Sequence, residues 1–260
     1  MILSPIEQSI KRKIEAVGTP LKDWDIQINY GIKTGYNDAF IISTEKRNEI
    51  LANCKTEEER RKTEELIRPI LRGRDIKRYG YDWAGLYLIA TFPSRHYDIE
   101  KYPAVKQHLL SFGKERLEQT GKTFIVNGET IKARKKTNNK WFETQDSISY
   151  WEDFNKPKLF YADITQQLSF CLCKEVMFCN NTTYFMTSTK HDIPDHLVEY
   201  LNTKLIDWYY RTLSVQLGEK AVRMFSIYVL KIPIPKAVQG NIYQTFNLTK
   251  EEQDYVENLD

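Results

Sequence analysis

The sequence predicts an α+β fold of mixed, largely antiparallel sheets with flanking helices. Three observations predict it. Short segments alternate apolar and polar residues between turn signals, as in "DIQINY" and "TFIVNGETIK", which is the period of half-buried strands. Apolar stripes at helical spacing occur near both ends of the chain and in its middle. Strands and helices do not alternate as a doubly wound parallel sheet requires. With 260 residues, 41% of them hydrophobic and 13% aromatic, the chain has enough apolar surface for a sizeable core.

Taken in order, Ser4-Pro5-Ile6-Glu7 opens a helix with an N-cap, a proline in the first turn and a capping-box glutamate. Ile6, Ile10, Ile14 and Val17 form its apolar stripe, and Gly18 and Pro20 end it. We read residues 1–20 as a connector helix from an upstream domain, with burial of its stripe in this domain's own core as the other reading, 21–236 as the main domain and 237–260 as a tail with a short helix; a division near residue 190 is possible. "WDIQINYGIKTGYNDAFIIS" alternates on both sides of a turn from Gly31 to Gly35 and predicts a hairpin with a wide loop. Thr56 caps a charged helix that Pro69 stops, "GLYLIATF" predicts a strand, and Pro103 starts a helix with Val105, Leu109 and Phe112 on one side. Asn127-Gly128 suits a type I′ turn between two β-rich arms. Strands follow at "KLFYADI", "LSFCLC", "EVMFC" and "TTYFMTS", then a helix over "PDHLVEYLNTKLIDWYY", a strand at "FSIYVLKIPIP" and a terminal helix.

No apolar run approaches the roughly 20 residues of a membrane span, and the N-terminus lacks a basic region followed by an apolar stretch. The four cysteines do not form a secreted disulfide framework, so a cytoplasmic location is expected. The C-x-C spacing of Cys171 and Cys173 has no matched histidine pair, and no metal site is expected. His96, His108, His191 and His196 sit apart, without a zinc-protease or nucleophile-elbow pattern. A methyltransferase core would need a glycine-rich cofactor turn and an N-P-P-Y motif, and the 11 glycines never fall as G-x-G. No catalytic residue is expected within this chain.

The charge pattern points to binding. A net charge of +3 is mild, but Lys132, Arg134, Lys135, Lys136 and Lys140 lie in a stretch without a carboxylate. Asn138 and Asn139, able to pair with adenine, and Trp141, able to stack, are interleaved with them. Two other loops have the same polar and cationic character: the Lys33, Thr34, Tyr36, Asn37 turn, and "LRGRDIKRYG" with Arg72, Arg74, Lys77 and Arg78. These sixteen residues are the candidate contacts to double-stranded DNA. Asp75-Ile76-Lys77 is a D-x-K triplet of the kind found in Mg²⁺-dependent nucleases, but its arginine-rich flanks make a brace for those arginines the better reading of Asp75. An independent small nuclease, or a module that docks a methyltransferase subunit, are the competing readings.

The segments "NYGIKTGYNDAFII", "IRPILRGRDIKRY", "YPAVKQHLLSFGKERL", "KKTNNKWFETQDSISYWEDFNKPKLFYADI" and "LNTKLIDWYYR", in this order, resemble the TaqI-like C-terminal specificity domain. The resemblance runs from about residue 5 to about residue 235. It implies target recognition within a type IIG restriction-modification enzyme or an adenine-specific DNA methyltransferase. In that setting S-adenosylmethionine, and Mg²⁺ where the parent also cleaves, bind in upstream methyltransferase or endonuclease domains of the same parent chain. Motifs shared by enzymes of different target sites suit phosphate contacts or structural turns rather than base readout. Base readout is then expected from the hairpin with its following loop, from Ser94 to Asp98, and from the turn around Gln216 to Arg223.

Overall fold

The protein is described by a computed structural model covering residues 2–190 and 193–259. Among the described residues there are two four-stranded sheets, a three-stranded sheet and two two-stranded ribbons. The first large sheet runs Phe170–Cys173, Lys158–Ala162, Thr183–Ser188, Ile26–Tyr30, antiparallel throughout. The second runs Phe178–Cys179, Ile67–Leu71, Leu86–Ile89, Ile41–Ser43, and only its Phe178–Cys179 edge pairs parallel. The fold is α+β with mixed, largely antiparallel sheets and flanking helices, as expected.

The first sheet is covered on both faces. Along Lys158–Ala162, Leu159 and Tyr161 point into one core while Phe160 points into the other, and Cys171 and Phe185 join Phe160. A strand buried on both sides has no reason to alternate apolar with polar, which is why "LFY" reads as a continuous apolar run. The core behind it joins the second sheet to the helices Thr44–Ala52, Glu57–Leu66 and Pro103–Leu110. The core in front takes Ile10 and Ile14 of the helix Pro5–Val17, both fully buried, with Leu197, Leu201, Leu205 and Tyr210. Val256 of the last helix, Lys250–Glu257, closes that core, and Glu252 bonds Ser9 and Lys13 at 2.7 Å each. Core contacts therefore cross residues 20 and 236, and both terminal helices join the core in front of the first sheet.

Several sequence expectations hold in detail. Ser4 forms the capping box with Glu7, and the Asn127-Gly128 turn has φ of 51° and 84°, joining Thr123–Val126 to Glu129–Lys132. Others are corrected. Ile26–Tyr30 and Ile41–Ser43 do not pair with each other: the first joins Thr183–Ser188 and the second joins Leu86–Ile89, in different sheets. The cause lies at Gly31, whose backbone is so close to Asn180 that a Cβ would stand 1.9 Å from its carbonyl oxygen. The chain crosses there instead of turning back. "FSIYVLKIPIP" forms the helical turn Ser226–Val229 before a two-residue strand, Pro233–Ile234. The long helix predicted after residue 194 breaks at Asn202, whose side chain accepts from Phe170 N and donates to Phe170 O, both at 2.8 Å. Thr203 then caps Lys204–Leu213. His191 lies outside the described residues.

Candidate nucleic-acid interface

Three chain segments cross between the two large sheets at one place, and the predicted loops hang from that junction. Ile32 bridges Asn180 in parallel sense after Gly31 N donates to Thr183 O. Asn180 N donates to Leu71 O, at the end of the second-sheet strand that leads into "RGRD". Gly73 N donates to the Thr182 hydroxyl at 2.8 Å, and a Cβ on Gly73 would meet Thr182 O at 2.6 Å. On the other side, Gln145 N and Asp146 N donate to Lys33 O. The order along this ridge is therefore the basic loop, the Lys33 turn, the Asn180–Thr182 turn and the Arg72–Asp75 turn.

The Arg72 segment is not extended: Gly73–Asp75 is a single 3₁₀ turn. Asp75, 3% exposed, accepts from Arg72 N, Nε and Nη2 at 2.8, 3.0 and 2.8 Å. That bond to Asp75 holds the Arg72 guanidinium above its ordinary pKa. Both carboxylate oxygens are thus engaged, and Lys77 Nζ donates back to Arg74 O at 3.0 Å. Asp75 is the brace the flanking arginines suggested. Arg74 and Lys77 remain exposed, while Arg78 is half-buried with its Nε on Leu168 O.

In the basic loop the structure separates residues that look alike in sequence. Arg134 is 4% exposed and donates to four carbonyls: Leu117, Thr34, Glu143 and Trp141, at 2.8, 2.6, 2.8 and 2.7 Å. Burial draws its pKa down to about 10, with Glu118 and Glu143 opposing the shift. Arg134 is a buried tie, and the expectation that it contacts DNA is corrected. Asn139 is half-buried, and its amide nitrogen donates to Gln145 O at 2.8 Å. Thr34 is fully buried, donates to Asn37 Oδ1 at 2.7 Å and accepts from Tyr36 N, so it shapes the turn. Tyr36 and Trp141 are half-buried against Phe112 and Phe142.

Lys33, Asn37, Lys132, Lys135, Lys136, Asn138 and Lys140 are exposed. Lys33 and Lys135 flank Asp146, whose carboxyl is raised by burial and pulled back by those two cations. Lys132, Lys136 and Arg74 have no carboxylate partner among the described residues. Sequence reasoning missed Asn180, Thr182 and Asp163, which with Arg72 and Arg74 line an open cleft of about 380 Å³. The "NNTT" turn between two strands is the only local hint of them. Tyr30, which donates to Asn181 O, lies within electrostatic reach of Asp163, Arg223 and Asp146 and has its phenol raised by burial. Arg223 extends the ridge toward the Gln216–Leu217 and Ala221–Arg223 ribbon.

Residues 68–234 match the TaqI-like C-terminal specificity domain. The chain belongs to this family. No curated protein sequence matches. The type IIG restriction endonuclease BpuSI superposes with a TM-score of 0.50 at 10% identity, covering 98% of this chain and 28% of that one. The type IIL restriction-modification enzyme MmeI, solved in complex with DNA, gives a TM-score of 0.42 at 12% identity over 84% of this chain and 26% of its own. The chain thus spans little more than a quarter of the length of these structures. Among the described residues no helix is long and apolar enough to cross a membrane, and no three His, Cys, Asp or Glu side chains gather as a metal site.

Proposed function

We propose that this chain is the DNA target-recognition part of a restriction-modification enzyme, holding duplex DNA while other domains of the parent act on it. The observation that carries the reading is the convergence of three cationic loops, far apart in sequence, on one ridge where the two sheets meet. Lys33, Arg74, Lys77, Lys132, Lys135, Lys136 and Lys140 supply phosphate contacts there, and Asn37 and Asn138 supply hydrogen-bonding groups beside them. Arg72 acts through Asp75 to set the turn that presents Arg74.

The chemistry belongs elsewhere in the parent. An adenine-specific methyltransferase domain would bind S-adenosylmethionine and extrude the target base, and a second domain gripping the duplex keeps the DNA in register during that step. A fused endonuclease would bring its own Mg²⁺ site. Both oxygens of Asp75 are held by Arg72, which argues against its use as a metal ligand in this chain.

Fluorescence anisotropy with a labelled mixed-sequence duplex tests the proposal. The chain is expected to bind with an affinity that falls steeply with salt, and Arg74→Ala to weaken binding to every duplex by a similar factor. A chain that binds no duplex at low salt refutes the reading. Plasmid cleavage in Mg²⁺ that disappears in Asp75→Ala would establish the nuclease alternative instead.

A further inference from the structure

A pocket separate from the ridge carries a second kind of chemistry. It is small, about 140 Å³, and lies between the Ile67–Leu71 strand and the segment after Leu86–Ile89. Arg68, Arg95, Tyr97, Tyr102 and Trp151 form its walls, with Phe178 beneath. The Arg95 guanidinium carbon lies 3.8 Å from the centre of the Trp151 ring and 5.6 Å from that of Tyr97. Tyr97 and Tyr102 meet edge to face at 5.9 Å, and Phe178 is anchored by stacking on Phe154 at 4.4 Å.

Lys62 and one acid, Glu65, also line the pocket. Lys62 pairs with Glu58, and Glu65, which acts on Tyr97 and Tyr102, pairs with Arg61. Arg68 and Arg95 have no ion pair among the described residues, although Arg68 is only half exposed and both act on Tyr97. Unpaired guanidiniums beside several aromatic walls match a ligand that is planar at one end and anionic at the other. The volume is below the roughly 300 Å³ at which pockets begin to hold drug-sized molecules, which restricts the planar part to one small ring system. The pocket also adjoins the ridge through the chain: Ser94 N donates to Ser147 O and Ser94 Oγ to Ile148 O, and Ser147 follows Asp146, which faces Lys33 and Lys135.

We propose that this pocket receives one unstacked nucleotide, its base among the aromatic walls and its phosphate on Arg68 and Arg95. The proposal rests on the reading of the ridge as a duplex-binding surface only for the source of that nucleotide; the recognition chemistry is the same for a base displaced from DNA and for a free nucleotide. Stacking on aromatic or guanidinium planes contributes about 1–3 kcal/mol per base and tolerates any base, so the pocket grips without reading sequence.

The test compares a paired duplex, the same duplex with one unpaired nucleotide, and free deoxyadenosine 5′-monophosphate. Each is titrated into the 260-residue chain and into Arg68→Ala and Arg95→Ala. Thermal melting checks that each variant is folded, and the exposed position of Arg95 makes its variant the safer of the two. The wild-type chain should prefer the unpaired-nucleotide duplex about tenfold, and both folded variants should lose the preference. If the paired duplex binds and the extra nucleotide adds nothing, the pocket proposal is overturned while the ridge reading stands. A preference that persists in both variants overturns it too. If no duplex binds but the mononucleotide binds wild type and not Arg95→Ala, the pocket is a free-nucleotide site and the ridge reading falls. No binding of any of the three removes both.

Discussion

Replacing Arg134 by alanine separates a structural role from a DNA-binding one more sharply than any other single change. The guanidinium serves four carbonyls at once, from Leu117, Thr34, Glu143 and Trp141, and lies 5.0 Å from the centre of the Phe40 ring. Removing it orphans three acceptors, because Glu143 O keeps its bond from Gln119 Nε2 at 3.1 Å. Orphaning a buried acceptor costs about 1–3 kcal/mol, and the low end applies because water can enter the vacated volume. The sum is about 3 kcal/mol. For a chain of this size each kcal/mol moves Tm by roughly 2–4 °C, so Arg134→Ala should melt about 6–12 °C below wild type. Arg134→Lys keeps the charge but cannot reach four carbonyls, and should also melt well below wild type. Differential scanning calorimetry reads both. A cooperative transition within about 2 °C of wild type in Arg134→Ala, together with loss of duplex affinity, would refute the buried-tie argument and restore the surface reading.

Three further outcomes follow from the same geometry. Gly31→Ala places a methyl 1.9 Å from Asn180 O, so the junction of the two sheets must open; urea unfolding should show a loss of several kcal/mol, and a loss below about 1 kcal/mol would mean the close approach is not needed. Asp75→Asn removes the charged partner of Arg72 and should cost about 2 kcal/mol of stability while weakening duplex binding no more than Arg74→Ala does; an affinity loss larger than that of Arg74→Ala at full stability would place Asp75 at the DNA. Stability should fall as pH rises above about 9, because burial pushes Cys171 up to about 12 and holds Tyr161 well above the usual phenol range, whereas the unfolded thiol and phenol titrate near 9.0 and 10.0. The unfolded state then binds fewer protons than the folded one. Lys158 and Arg134, both lowered by burial, act with the opposite sign but are two groups against the larger number of buried thiols and phenols that are raised; equal urea midpoints at about pH 8 and 10.5 would contradict the assignment.

What was legible in the sequence is what neighbours in the chain decide. The Asn127-Gly128 hairpin and the Ser4 and Thr56 caps depend on residues a few positions apart, and they form as read. The pairing of Ile26–Tyr30 was not legible, because its partner lies more than 150 positions away and the crossing is imposed by the contact of Gly31 with Asn180. The same limit applies to the interface. "KARKK" offers four cations, and nothing local says that Arg134 turns inward to close three loops while Lys132, Lys135 and Lys136 stay out. Asp75 was legible as a brace because its partner, Arg72, is three residues away. Asp163, Asn180 and Thr182 carried no charge pattern, and only the junction of the sheets brings them to Arg74.

The central claim is that the ridge at the sheet junction neutralises DNA phosphates, and the salt dependence of duplex binding measures it most directly. Arg74, Lys135 and Lys136 lie on different parts of the ridge and are exposed, so their triple alanine variant should remain folded. Each phosphate contact contributes about 0.9 to the slope of log K against log salt, and the triple variant should therefore lose roughly 2.7 from the wild-type slope on every duplex sequence. A slope equal to wild type in the folded triple variant would show that DNA, if bound, is held by another face.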